Sequence, residues 1–171
     1  PPEFGQRGMV AADHRLASQA GAAVLEAGGN AVDAAIATAL ASGVVQPAGS
    51  GLGGGGFAVV VTPDGQSAVL DFRETAPAAS TATMFVDAPA DDASRIGGLA
   101  VAVPGEPMGL IALHDRWGTL PLKQIARPAV ALSRGFPVGA HLAAALMKLG
   151  ESAPGLSAKL FDEASTPNRG E

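Results

Sequence analysis

The chain has 171 residues, of which 47% are hydrophobic and 16% are charged, a balance that predicts one packed domain and excludes a disordered chain. The formal net charge of −5, with Lys and Arg scattered singly, excludes a basic face for nucleic acid. The absence of cysteine excludes disulfides and cysteine nucleophiles, and no apolar run approaches the length needed to insert this chain into a membrane.

The first part of the chain predicts a strand and two helices. Residues 9–12 form an apolar run that is expected to be a short buried strand. Apolar residues keep helical spacing over residues 16–27, and Gly28 then ends that helix. Asn30 is a good N-cap, and Asp33 follows three residues later in a capping-box position. The helix that begins there, AVDAAIATALAS, is apolar on nearly all sides, so it is predicted to be buried.

A β-hairpin is predicted next. Two β-rich runs, Phe57–Val61 and Ala68–Phe72, flank the segment TPDGQ, in which Pro63 takes the second position of a tight turn. Neither run alternates cleanly with polar residues, which is typical of strands that are buried on both faces. The sheet is therefore expected to be covered by other layers.

The remainder of the chain predicts mostly helices. The expected elements are a surface excursion at 76–93 with one helical turn near Met84, a short strand at Val101–Val103, a helix ended by Gly118, a helix from Pro121 that Pro128 kinks, a helix at His141–Leu149 and a polar tail at 151–171. This order of elements indicates an α+β or a layered α/β/α arrangement.

The glycine-rich stretch GSGLGGGGF, residues 49–57, could cradle a phosphate or let backbone segments pack closely. A phosphate loop of the Walker type needs a Lys after its last glycine, and none follows Gly56. A dinucleotide loop precedes a helix, whereas these glycines precede a strand. The stretch therefore favours close backbone packing.

Other common catalytic patterns are missing. The spacing of Gly49-Ser50-Gly51 does not fit a serine-hydrolase elbow. The three histidines, His14, His114 and His141, fall in separate elements without metal-ligand spacing, so no metal site is predicted. The pair Asp91-Asp92 lies in the excursion and is interpreted as solvated.

The segment DFRETAP, residues 71–77, places Arg73 and Glu74 side by side where a strand ends. Neighbouring strand residues point to opposite faces, so the two side chains cannot share a pocket unless the backbone bends. An arginine fork suits a substrate carboxylate, and an internal ion pair is the alternative that composition alone favours.

Several segments together resemble the γ-glutamyltranspeptidase family. They are GMVAADHRLASQAGAAVLEAGGNAVDAAIATAL, QPAGSGLGGGGF, LDFRETAP, VAVPGEPMGL and HDRWGTLPLKQIARPAVALSRGF, in this order over nearly the whole chain. The resemblance implies an α+β fold of the N-terminal nucleophile hydrolase type, a four-layer αββα sandwich of which this chain is a part.

The resemblance also implies the chemistry. Such a precursor cleaves itself into a large and a small subunit, and the new N-terminal Thr of the small subunit attacks the γ-glutamyl amide with its own amino group as base. The γ-glutamyl group then passes to water, an amino acid or a peptide, without a cofactor. By its place in the motif, Arg73 holds the α-carboxylate of the γ-glutamyl group, and Glu74 supports Arg73 or the local backbone.

The nucleophile motif of the family, a Thr followed by Thr-His, is absent from this sequence. Residues 1–171 are therefore predicted to be the N-terminal portion of a large subunit, a single domain that is incomplete and inactive without the small subunit. Because bacterial members of the family are usually exported, the resemblance implies a periplasmic or secreted location.

Two other functions stay open. Related members of the fold family act on cephalosporin side chains or on poly-γ-glutamate, and the chain could serve as such an acylase. It could also be a non-catalytic amino-acid-binding module that keeps Arg73 on the same fold, or a purely structural fragment.

Overall fold

A computed structural model of the chain describes residues 5, 8–86, 88 and 90–152. These residues fall into two compact units, which we call the helical unit (residues 1–50 and 119–171) and the hairpin unit (residues 51–118). The predicted single domain over residues 1–171 stays a prediction. The first two residues of the predicted polar tail at 151–171 belong to the last helix, and the rest lies outside the described residues.

The described residues form five α-helices, one 3-10 helix and two strands. In chain order they are α1 Arg15–Glu26, α2 Ala31–Val45, β1 Phe57–Val61, β2 Ser67–Asp71, the 3-10 helix Gly98–Ala100, α3 Glu106–Trp117, α4 Leu122–Leu132 and α5 Ala140–Ser152. None of the described helices is long and apolar enough to cross a lipid bilayer.

Helix α1 confirms the predicted first helix and its stop signal. The Nδ1 atom of His14 accepts a hydrogen bond from the N–H of Leu16 at 3.1 Å, so this histidine is the N-cap. Gly28 follows the C-terminus with a φ of 92°, a conformation that glycine adopts without strain. The sequence pattern did not reveal the cap, because histidine is not among the favoured N-cap residues.

Helix α2 begins at the predicted capping box. The Asn30 side chain accepts hydrogen bonds from the N–H groups of Val32 and Asp33, each at 2.9 Å. In return, the Asp33 carboxylate accepts the N–H of Asn30 at 3.0 Å. Ile36 is fully buried, and buried residues occur along the whole helix, which confirms the predicted buried helix.

The Asp33 carboxylate also binds a segment far away in the sequence. It accepts hydrogen bonds from the N–H of Thr119 at 3.0 Å, from the Thr119 hydroxyl at 2.6 Å and from the N–H of Leu120 at 3.3 Å. Asp33 is fully buried. Burial raises the pKa of this carboxyl, but the hydrogen bonds from Thr119, Asn30 and Leu120 outweigh that effect and leave the pKa below its ordinary value.

The core of the helical unit is built largely from small side chains. Its centre is a buried cluster on α1, α2 and α4, with larger residues packed around it: Ala17, Ala20, Ala41, Val45 and Ala129 inside, and Leu16, Leu40, Val44, Leu132 and Phe136 outside. Alanine lets helix axes approach closely, so α1 and α4 can both pack against α2. Helix α4 runs through Pro128 without interruption.

The hairpin has the predicted order but not the predicted burial. Strands β1 and β2 pair antiparallel, with Phe57 opposite Asp71 and Val61 opposite Ser67. Alternate residues are half-buried, while the others are exposed: Phe57 62%, Val59 70%, Val61 67% and Val69 69%. The expectation of a sheet covered on both faces is therefore wrong for this chain, because its described residues cover only one face.

Two of the predicted strands are also corrected. Residues 8–12 form no strand, and Met9 is 57% exposed, because no described strand offers them a backbone partner. Of the predicted strand Val101–Val103, only Val103 pairs, in a single antiparallel bridge with Thr75. The turn predicted near Met84 is confirmed by hydrogen-bonded turns over residues 82–86.

Glycines bring three segments of the hairpin unit into backbone contact. A Cβ atom on Gly55 would collide with the carbonyl of Phe72 and lie 2.9 Å from the Glu74 nitrogen. A Cβ on Gly105 would collide with the same carbonyl of Phe72. The Gly54 carbonyl accepts the N–H of Gly105 at 2.9 Å. The expected close packing is confirmed for these glycines, and a contribution from another subunit stays a prediction.

The Asp33→Asn variant tests the link between α2 and Thr119. An amide cannot accept all four hydrogen bonds, so we expect the free energy of unfolding to fall by about 2–4 kcal/mol. The measurement is urea unfolding at pH 7, with the exposed Asp13→Asn as the control. Because the folded pKa of Asp33 is lowered, its stabilisation is complete above the unfolded pKa of about 3.9 and is lost as the pH falls through the folded pKa. A difference between wild type and Asp33→Asn that does not shrink below about pH 4 would contradict this role.

The matched variants Gly55→Ala and Gly54→Ala test the close packing. Gly55→Ala forces a methyl group into the backbone of Phe72 and is expected to destabilise the protein by about 1–3 kcal/mol. On Gly54, the added atom meets its nearest neighbour, the Gly51 carbonyl oxygen, at 3.4 Å, an ordinary contact, so Gly54→Ala should change stability little. Thermal unfolding of both variants decides the point, and equal melting temperatures would refute the packing argument.

Candidate functional site

The predicted site residues lie just beyond the end of β2. The strand ends at Asp71, whose carboxylate accepts the N–H of Arg73 at 3.0 Å. Because Arg73 and Glu74 have left the strand, strand alternation no longer keeps their side chains apart. The Nε atom of Arg73 lies 3.3 Å from Oε2 of Glu74. The backbone therefore makes the bend that both residues need to share one site.

The Arg73 side chain remains open to a ligand. It is 61% exposed, whereas the Glu74 side chain is 25% exposed. A guanidinium has five N–H donors, and the contact with Glu74 uses the Nε edge. Both sequence-based interpretations of Arg73 therefore apply to one residue: it forms an internal ion pair and still offers donors to a carboxylate.

The surrounding backbone fixes the segment that carries this pair. Thr75 exchanges two backbone hydrogen bonds with Val103, at 3.2 and 2.9 Å, immediately after Glu74. On the other side, Gly55 and Gly105 allow close contact with the backbone at Phe72. The Arg73–Glu74 segment is thus held between the glycine-rich stretch and the start of α3, which limits the positions available to both side chains.

Sequence reasoning missed a third charged residue in this cluster. Glu106 is the first residue of α3, and its N–H donates to the Gly54 carbonyl at 3.0 Å. It is only 7% exposed, and no described residue forms a hydrogen bond with its Oε1 atom. The only signal in the sequence was a glutamate inside the otherwise uncharged segment VAVPGEPMGL.

The environment of Glu106 acts on its acidity. Burial raises the pKa of the Glu106 carboxyl, the backbone N–H of Gly51 lowers it in part, and the negative charge of Glu74 raises it further. The pKa of Glu106 therefore lies above its ordinary value. The Oε2 atom of Glu74 is likewise buried without a hydrogen bond from the described residues, and the Nε of Arg73 lies 3.3 Å from it.

The other candidate residues are not brought together. His14 caps α1, His114 lies 3.7 Å from its neighbour Asp115 in α3, and His141 belongs to α5. The pair Asp91-Asp92 is exposed. Among the described residues, no group of three or more potential ligand side chains could hold a metal ion.

The sequence and the fold match known proteins. The family described as gamma-glutamyltranspeptidase matches residues 17–171. The chain is 42% identical over 165 residues to the glutathione hydrolase proenzyme of Bacillus subtilis, a match that covers 92% of this chain and 28% of that protein. It is 41% identical over 173 residues to the acylase ACY 1 proenzyme of Pseudomonas sp. (strain SE83), covering 94% and 31%.

The crystal structure of Helicobacter pylori gamma-glutamyltranspeptidase superposes on the chain with a TM-score of 0.86 at 39% identity. This superposition covers 92% of the chain and 46% of that structure. The chain spans less than a third of the length of the two relatives named above. The predicted α+β fold and the resemblance drawn from the motifs are confirmed, and the chain belongs to the γ-glutamyltranspeptidase family.

Proposed function

We propose that the chain is the N-terminal portion of the large subunit of a γ-glutamyltransferase or glutathione hydrolase. The complete enzyme cleaves the γ-glutamyl amide of glutathione and related compounds. It transfers the γ-glutamyl group to water, amino acids or peptides. The proposal is supported by family membership and by relatives named glutathione hydrolase proenzymes that match most of this chain.

The observation that carries the proposal is the exposed Arg73 guanidinium, whose Nε atom lies 3.3 Å from Oε2 of Glu74. A planar, always charged fork of this kind binds a carboxylate through charge-assisted hydrogen bonds. The contact with Glu74 at the Nε edge leaves the other N–H donors of the fork available to such a ligand. Arg73 is therefore suited to hold the α-carboxylate of a γ-glutamyl group.

The reaction itself needs residues from outside this chain. In the proposed mechanism, the hydroxyl of an N-terminal Thr on the small subunit attacks the γ-carbonyl carbon while its own amino group accepts the proton. The C–N bond breaks, the amine leaves with that proton, and a γ-glutamyl ester remains. Water or an acceptor amine then attacks the ester and restores the Thr hydroxyl. No cofactor is required, and Arg73 contributes by orienting the substrate.

The small subunit of the same precursor is the proposed partner, and the word proenzyme in the names of the relatives supports processing. A periplasmic or secreted location stays a prediction.

The acylase alternative has support from one observation: the identity to the ACY 1 proenzyme, 41%, nearly equals the 42% to the glutathione hydrolase proenzyme of Bacillus subtilis. The complete protein should therefore be compared on glutathione and on a glutaryl amide, which lacks the α-amino group. Faster turnover of the glutaryl amide would replace the proposed activity by an acylase activity. Tight binding of glutamate by this chain without a partner, measured by calorimetry, would favour a non-catalytic binding module.

The variant Arg73→Ala tests the proposed substrate contact. Loss of a charge-assisted hydrogen bond worth about 1.5–3 kcal/mol should lower kcat/KM of the complete enzyme for glutathione by about one to two orders of magnitude. Arg95→Ala, at an exposed arginine in the same unit, is the matched control and should leave kcat/KM unchanged. Unchanged kcat/KM for Arg73→Ala would remove the carrying observation.

A further inference from the structure

Glu106 is a buried acid whose carboxyl the proposed mechanism does not use. It is 7% exposed at the first position of α3, and its Oε1 forms no hydrogen bond with any described residue. A buried carboxylate is stable when it is paired or fully hydrogen-bonded, and otherwise it tends to keep its proton.

One other carboxyl group lies near it. A Cβ atom placed on Gly54 would lie 3.6 Å from Oε1 of Glu74 and 4.0 Å from Oε2 of Glu106, so the two side chains flank the same glycine. The negative charge of Glu74 acts directly on Glu106. Two carboxylates that share a site resist being ionised together.

The nearby cation does not pair with Glu106. Arg73 forms its ion pair with Glu74, and among the described residues no Lys, Arg or His lies within ion-pair distance of Glu106. The N–H of Gly51 and the N-terminus of α3 favour the ionised form of Glu106. Burial and the negative charge of Glu74 favour the neutral form. Their combined effect is the larger one, so the pKa of Glu106 is raised.

We propose that Glu106 is a positioning residue that acts on Arg73 through Glu74. This action depends on whether the Glu106 carboxyl carries a proton. With the proton bound, Glu74 is the only charged acid that flanks Gly54, and it pairs with the Nε edge of Arg73, while the Asp71 carboxylate lies at the Arg73 backbone N–H. When the proton leaves, the two carboxylates repel each other across Gly54, and Glu74 holds Arg73 less firmly. The effect on substrate binding rests on the proposed function of Arg73.

The direction of the pH dependence follows from the raised pKa. The folded state binds the Glu106 proton more tightly than the unfolded state, so this group favours folding most at low pH. That contribution is lost as the pH rises from the unfolded value of about 4.3 through the higher folded value. Glu106→Gln keeps the shape of the side chain without a charge, so it should not show this loss.

The first measurement is stability and does not depend on enzyme activity. Urea unfolding of the complete protein is followed from pH 4 to pH 8 for wild type, Glu106→Gln and the exposed control Glu26→Gln. We expect the unfolding midpoint of Glu106→Gln to rise relative to wild type as the pH increases, while Glu26→Gln tracks wild type. Glu106→Ala should show the same pH trend from a lower starting stability. A midpoint difference that is independent of pH in both Glu106 variants would overturn the proposal.

The second measurement is the KM for glutathione over the same pH range. We expect the ratio of wild-type KM to Glu106→Gln KM to increase several-fold from acid to alkaline pH, with the kcat ratio nearly constant. Coincident KM profiles would overturn the positioning role even if the stability trend is found. If Arg73→Ala leaves kcat/KM for glutathione unchanged, the proposed substrate contact of Arg73 fails, whereas the stability measurement still decides whether Glu106 holds a proton.

Discussion

The carboxylate of Asp33 is the constraint on which the helical unit depends. It satisfies the N-terminus of α2 through Asn30 and, at the same time, the backbone and hydroxyl of Thr119. Thr119 lies 86 residues after Asp33 in the sequence. One buried group thus fixes both the start of a core helix and the point at which the chain re-enters this unit. The core of this unit is built largely from alanine, and the hydrogen bonds of Asp33 add a polar link to that packing.

The sequence predicted correctly those features that depend on contacts between residues close together in the chain. The capping box at Asn30 and the turn at Pro63 involve residues within a few positions of each other, so their spacing in the sequence predicts the structure. The second set of hydrogen bonds at Asp33 could not be predicted, since nothing in the sequence near Asp33 points to Thr119. The prediction of a strand at residues 9–12 was wrong for a related reason. An apolar run forms a strand only when another strand pairs with it.

The residues of the candidate site also differ in whether local sequence or tertiary contacts reveal them. Arg73 and Glu74 were predicted because they stand together in the motif DFRETAP. Glu106 was missed because burial and neighbouring charge, which give a glutamate unusual properties, are set by tertiary contacts. The glycine-rich stretch explains how the two parts meet. Gly55 and Gly105 allow backbone segments to touch, so residues some 30 positions apart share one small cluster.

The shifts at Asp33 and Glu106 have opposite signs, and they occur in different units of the chain. Strong acid removes the charge that organises the helical unit, whereas rising pH places an unpaired charge inside the hairpin unit. A fall in pH therefore removes a stabilising contribution from the helical unit, and a rise in pH removes one from the hairpin unit.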